Sequence, residues 1–137
     1  MLRSASRLIP RSRCSLPLAH RRPLSSSSST SSVVALTDET APDFMSDKHD
    51  KAVVYFTATW CAPCRAIKPL YNELSLQYDE ISFGKVDVDE CVNAAAANKI
   101  SSIPKFHFLK AGKVVKTVTG SDSTLLEDAL SWLDEEK

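Results

Sequence analysis

The run AVVYFTA (residues 52–58) is apolar and aromatic almost throughout, and it ends directly ahead of TWCAPCR (59–65). A run of this kind has no polar face to give to water, so it predicts a strand covered on both sides. Covering both sides requires helices on each face of the sheet, which sets the class as α/β. From Cys61 to Tyr78 the period becomes helical, with Ile67, Leu70, Tyr71, Leu74 and Tyr78 on one face. Pro63 suits a first-turn position, and Pro69 is expected to kink the helix. The chain therefore passes from a buried strand into a helix at a Cys-x-x-Cys pair.

The flanking segments extend this pattern. VVAL (33–36) reads as a short strand, and Thr37 or Asp38 is expected to cap a helix over 39–47. ISFGKVDVD (81–89) alternates as a strand, and CVNAAAANK (91–99) is alanine-rich and helical. Strands follow at 105–110 and 113–119, joined by a turn at Ala111-Gly112. A last helix over 122–135 buries Leu125, Leu126, Ala129, Leu130 and Leu133. The early βαβ units imply parallel strands and the late turn an antiparallel hairpin, giving a mixed sheet with helices on both faces.

The chain has 137 residues, 43% hydrophobic and 25% charged, an ordinary globular balance for one domain with an extension. No apolar run reaches the roughly 18 residues of a membrane-spanning helix. Six arginines precede the first acidic residue, Asp38. Setting them aside leaves 11 basic against 17 acidic residues, a formal charge of about −6. An acidic domain argues against nucleic acid as a partner. The segment 1–32 is rich in arginine and serine and free of acid, the composition of an organellar transit peptide followed by a disordered serine-rich linker. Arg3, Arg7 and Arg11 at four-residue intervals favour the mitochondrial matrix over the plastid, and RRPLS (21–25) suggests cleavage near Ser25 or later. Cys14 would leave with this peptide. The domain is then expected to occupy 33–137.

The pair Cys61 and Cys64 admits three readings: half a zinc site, an inert disulfide or a redox couple. Zinc requires further ligands at suitable spacing, and His20, His49 and His107 do not supply them, so no metal is expected. A disulfide within one helical turn closes too small a loop to stabilise much. A cysteine at a helix start meets free N–H groups and the positive end of the helix dipole, which favour its thiolate. This chemistry fits a pair that opens and closes by thiol–disulfide exchange.

FTATWCAPCRAIKP, KVDVDE, SSIPKFHFLKAGK and VTG, in this order, resemble the thioredoxin family over residues 33–137. The resemblance implies the thioredoxin fold, a five-stranded mixed sheet of order 1-3-2-4-5. It also implies a protein-disulfide reductase without a bound cofactor, working through a Cys61–Cys64 disulfide. Its partners would be protein disulfides and a thioredoxin reductase, expected to use NADPH, and the chain is expected to be a monomer. By position, Cys61 matches the attacking and Cys64 the resolving cysteine. Trp60 matches the tryptophan beside the pair, Ile103-Pro104 the isoleucine and cis-proline that receive substrate backbone, and Gly120 the glycine of the substrate groove. Gly112 matches the hairpin turn, and Lys85 a lysine near the buried end of the site.

The sequence departs from the family pattern at three places. Ala62 stands before Pro63 where glycine is usual, which predicts a modest change in redox potential. Tyr55 occupies the position of a buried aspartate credited with taking the Cys64 proton. A phenol of reference pKa near 10 is a poor base at neutral pH, so Tyr55 is expected to be structural, bonded near Lys85 or through water. Lys105 follows Pro104 where threonine is more frequent, placing a cation near the groove. Cys91, at a helix start, is a candidate secondary redox cysteine if exposed and of low pKa, and otherwise a small residue in a tight place. Two further functions compete with reduction. An oxidase or isomerase of the same fold tends to carry histidine between its cysteines. A binding or holdase module would use the groove without turnover.

Overall fold

The computed structural model describes residues 32–136. The expected transit peptide and its cleavage region, Cys14 included, lie outside the described residues, apart from Ser32. The elements run β1 (Val34–Leu36), α1 (Ala41–Phe44), β2 (Lys51–Thr57), α2 (Ala62–Gln77), β3 (Ser82–Asp87), α3 (Val92–Ala97), β4 (Lys105–Lys110), β5 (Lys113–Thr119) and α4 (Ser123–Glu135). The sheet order is β1-β3-β2-β4-β5. β1, β3 and β2 are mutually parallel. β4 runs antiparallel to both β2 and β5. This is the expected mixed sheet, and β2 lies at its centre.

The pleat of β2 divides the core. Val53 and Tyr55 join Phe83, Phe106 and Phe108 beneath Ile67, Tyr71 and Leu74 of α2 and Leu126, Leu130 and Leu133 of α4. Ala52, Val54 and Phe56 join Val86 and Leu109 beneath Ala41 and Ala94 of α1 and α3. Both faces are covered, as the unbroken apolar run requires. Tyr71 shows how a polar tip enters such a core. Its hydroxyl lies 2.8 Å from the carbonyl of Gly84 and 3.2 Å from that of Val53, while its ring stands 5.0 Å from that of Tyr55. Burial and the neighbouring Tyr55 raise its pKa well above the usual tyrosine value.

One helix differs from expectation. α1 spans four residues only, and Asp38 does not cap it. Instead Asp38 accepts from Ala94 N–H at 2.8 Å and from Asn93 Nδ2 at 3.0 Å, so its carboxylate sits at the start of α3. Two neighbouring threonines close the α1 entry, Thr37 N–H donating to Thr40 Oγ1 at 2.8 Å. α2 continues through Pro69 to Gln77. α4 is capped by Asp122, whose carboxylate accepts from Thr124 and Leu125 N–H. At the other end of α4, the Lys51 ammonium donates to the Asp134 carbonyl and Lys110 pairs with Glu136 at 3.3 Å. These contacts tie the helix end to the start of β2 and the end of β4.

Candidate functional site

The two cysteines lie where β2 ends and α2 begins. Cys61 is the N-cap of α2, with extended backbone, and Pro63 occupies the first turn, where its missing N–H costs nothing. The sulfurs are joined as a disulfide with Cα atoms 5.2 Å apart. Cys64 N–H donates to Cys61 Sγ at 3.3 Å. The same N–H is available to a thiolate on Cys61, where negative charge at a helix start is favoured. Cys61 is 4% exposed and Cys64 1%, so Cys64 is the more enclosed of the two.

Trp60 stands beside the pair at 65% exposure, too open for an ordinary core aromatic. Its indole N–H donates to Asp89 Oδ2 at 2.8 Å, and Asp89 N–H donates in turn to Asp87 Oδ1 at 2.9 Å. The loop after β3 thus fixes the ring in the loop before α2. The Ile103-Pro104 peptide is cis. Ile103 packs on the core cluster that contains both cysteines, and it lines a shallow groove with Trp60, Val88 and Ile100. Pro104 carbonyl accepts from Gly120 N–H at 2.8 Å. Gly120 has φ +102°, and nothing lies within 4 Å of where a Cβ would stand. Its backbone, rather than crowding, is what calls for glycine. Gly112, at φ +76°, does occupy the β4–β5 turn.

A cavity of about 250 Å³ borders Cys64 and is lined by Tyr55, Thr57, Lys85, Asp87 and, from α2, Arg65 and Lys68. Parallel pairing of β2 and β3 sets Tyr55 opposite Lys85 and Thr57 opposite Asp87. Tyr55 Oη donates to the carbonyl oxygen of Cys64 at 2.8 Å. Its ring stacks on Phe106 at 4.8 Å. Burial pushes its pKa up and the Thr57 hydroxyl offsets only part of this, so the phenol stays protonated. Its bond goes to the backbone of Cys64, not to Lys85.

Cys91 departs from the sensor expectation. It is 3% exposed, and its thiol donates to Leu36 carbonyl at 3.3 Å. Burial, followed by the charges of Asp38, Glu90 and Asp87, raises its pKa. The conditions for a reactive cysteine are both reversed, and the geometry favours a small residue packed at the start of α3. Among the described residues, no group of three His, Cys, Asp or Glu side chains is placed to hold a metal ion. No described helix is long and apolar enough to cross a membrane.

Sequence reasoning overlooked Asp87, Asp89 and Thr57. The signal was present for one of them: Lys85 and Asp87 alternate along β3, so they project to one side at the end where the cysteines lie.

A family model described as Thioredoxin matches residues 32–131. The chain belongs to the thioredoxin family. Thioredoxins are disulfide oxidoreductases, and a Cys-x-x-Cys disulfide at this point of this fold accords with that chemistry. The chain is 39% identical over 123 residues to Thioredoxin O1, mitochondrial, of Arabidopsis thaliana, covering 85% of this chain and 63% of that protein. It is 46% identical over 79 residues to the TPR repeat-containing thioredoxin TDX of the same plant, covering 58% of this chain but only 21% of that longer protein. Among solved structures it is similar to mitochondrial thioredoxin 3 of Saccharomyces cerevisiae in its oxidized form. The TM-score is 0.71 at 33% identity, covering 77% of this chain and 100% of that one.

Proposed function

We propose that this chain reduces protein disulfides through Cys61 and Cys64 and acts as a thioredoxin of the mitochondrial matrix. The observation that carries the reading is the Cys61–Cys64 disulfide at the start of α2, beside a groove shared by Trp60 and Ile103. Cys61, as thiolate, attacks a substrate disulfide held along that groove and forms a mixed disulfide. Cys64 attacks Cys61 Sγ and releases the reduced substrate. Ile103 backbone receives the extended substrate chain beside Pro104, and Gly120 leaves the groove floor open. Lys85 and Tyr55 support the site from the cavity side, Ala62 and Pro63 set the turn between the sulfurs, and Lys105 adds a cation at the groove. An NADPH-dependent reductase returns the pair to the dithiol, and the protein works as a monomer. The arginine-rich segment 1–32 directs import, and residues 33–137 form the mature domain. Mitochondrial relatives support this location.

The test is insulin reduction with NADPH and a thioredoxin reductase. Wild-type protein is expected to turn over, Cys61→Ser to be inactive, and Cys64→Ser to accumulate mixed disulfides with its targets. Equal turnover by wild type and Cys61→Ser would remove the reading in favour of a holdase. A reduction potential nearer about −180 mV than about −270 mV would favour an oxidase or isomerase. Import assays with isolated mitochondria and plastids, scored by cleavage of the precursor, test the location.

A further inference from the structure

In the mixed disulfide Cys64 is a thiol, and it must lose a proton before it attacks. Its surroundings offer few places for that proton. Tyr55 is held protonated by burial and spends its hydrogen on the Cys64 carbonyl. The hydroxyls of Thr57 and Thr59 are neutral, and Arg65, Lys68 and Lys85 are donors with no acceptor site. Among the described residues lining the cavity, Asp87 alone carries a carboxylate. One of its oxygens is fixed by Asp89 N–H at 2.9 Å, in the chain of bonds that also holds Trp60. The cavity, at about 250 Å³, has room for several solvent molecules between Asp87 and Cys64.

We propose that Asp87 accepts the Cys64 proton through solvent in this shared cavity, so that the acceptor stands on β3 rather than at position 55 on β2. The inference rests on the disulfide-reductase reading above. The Cys64 S–H bond breaks, and the proton passes through solvent to the Asp87 carboxylate. The Cys64 thiolate attacks Cys61 Sγ, so the Cys61–Cys64 bond forms as the bond from Cys61 to the substrate breaks. The electron pair leaves on the substrate sulfur, which is protonated from Asp87 or from solvent. Substrate is reduced and the protein dithiol oxidised, with no other reactant. The cations of Lys85, Lys68 and Arg65 face the same space and favour the transient thiolate over the thiol.

The experiment mixes reduced protein with one equivalent of an aryl disulfide that releases a coloured thiolate, followed by stopped flow across a pH series. The first release reports Cys61 and the second Cys64. Asp87→Asn keeps an oxygen for Asp89 N–H and removes the charge. Its first release is expected to match wild type. Its second is expected to slow roughly tenfold near neutral pH, below the usual range for a directly contacting base because solvent intervenes. The two proteins should converge above about pH 9, where a thiol ionises unaided. Asp87→Glu restores the carboxylate and should regain much of the lost rate. An unchanged second release in Asp87→Asn, or one slowed equally at every pH, overturns the assignment. So does an Asp87→Glu profile identical to that of Asp87→Asn. If wild type itself gives one release instead of two, the reductase reading has failed first, and the role of Asp87 falls with it.

Discussion

The phenol of Tyr55 donates to the backbone carbonyl of Cys64 across 2.8 Å. A side chain from the central strand therefore grips the first turn of α2 at Cys64. This accounts for tyrosine at a position that supplies no base. It ties β2 to the helix start.

Tyr55→Phe deletes that one hydrogen bond and keeps the ring stacked on Phe106. The expected loss of stability is about 1 kcal/mol, the usual net value for such a bond. Chemical denaturation measures it. Disulfide reduction near neutral pH should persist, and a collapse of activity with an intact fold would assign the phenol a chemical role.

Cys91 should resist alkylation in the native state. Its burial and raised pKa both suppress thiolate. With reduced protein and limiting iodoacetamide, mass spectrometry should find Cys61 labelled and Cys91 unmodified until denaturant is added. Early labelling of Cys91 would return it to the list of redox cysteines.

Gly120→Ala isolates a backbone effect. At φ +102° an L-residue is strained, yet no atom lies near the new methyl group. A cost of roughly 1–3 kcal/mol is expected from conformation alone. Thermal melting of the variant, beside a crystal structure showing whether the loop has moved, checks both halves of the statement.

His107 makes stability depend on pH. It is buried on β4, its Nδ1 has no hydrogen-bond partner among the described residues, and its ring meets the edge of Phe56 at 5.0 Å. Burial first, then the charge of Lys105, lowers its pKa. The unfolded chain therefore binds this proton at a higher pH than the folded one. The contribution is complete above the unfolded value of about 6.5 and is lost as pH falls through the folded value. Denaturation midpoints between pH 7 and pH 5 should fall more steeply for wild type than for His107→Gln. Parallel slopes would remove His107 as the cause.

Much of the fold is visible in the residues because its constraints are local. An unbroken run such as Val53 to Phe56 permits one kind of strand, and the face made by Ile67, Tyr71 and Leu74 permits one kind of helix. Strand order is different. No periodicity distinguishes β1-β3-β2 from other parallel arrangements; only the family resemblance implies that order. α1 is shorter than its sequence suggests, because Asp38 has the right chemistry for a cap but serves the start of α3, more than fifty residues away in sequence. The same limit applies to Tyr55. That it is no base follows from its chemistry, but its bond to Cys64 depends on how closely α2 lies over β2. Asp87 escapes notice because an acidic residue in an alternating strand looks like a solvated face until the start of α2 brings a cysteine to the same cavity.

The ties from Lys51 to Asp134 and from Lys110 to Glu136 have a practical outcome. They hold the close of α4 at the beginning of β2, roughly 20 Å along the strand from the cysteines. β1 runs parallel to β2 through β3, and its first residue Val34 lies level with Gly84 and Val54, so the chain enters β1 from that same remote side. Both ends of the described domain thus emerge facing away from incoming targets. Fluorescent proteins, affinity handles or whole neighbouring modules can be spliced on at either side while the working surface stays open.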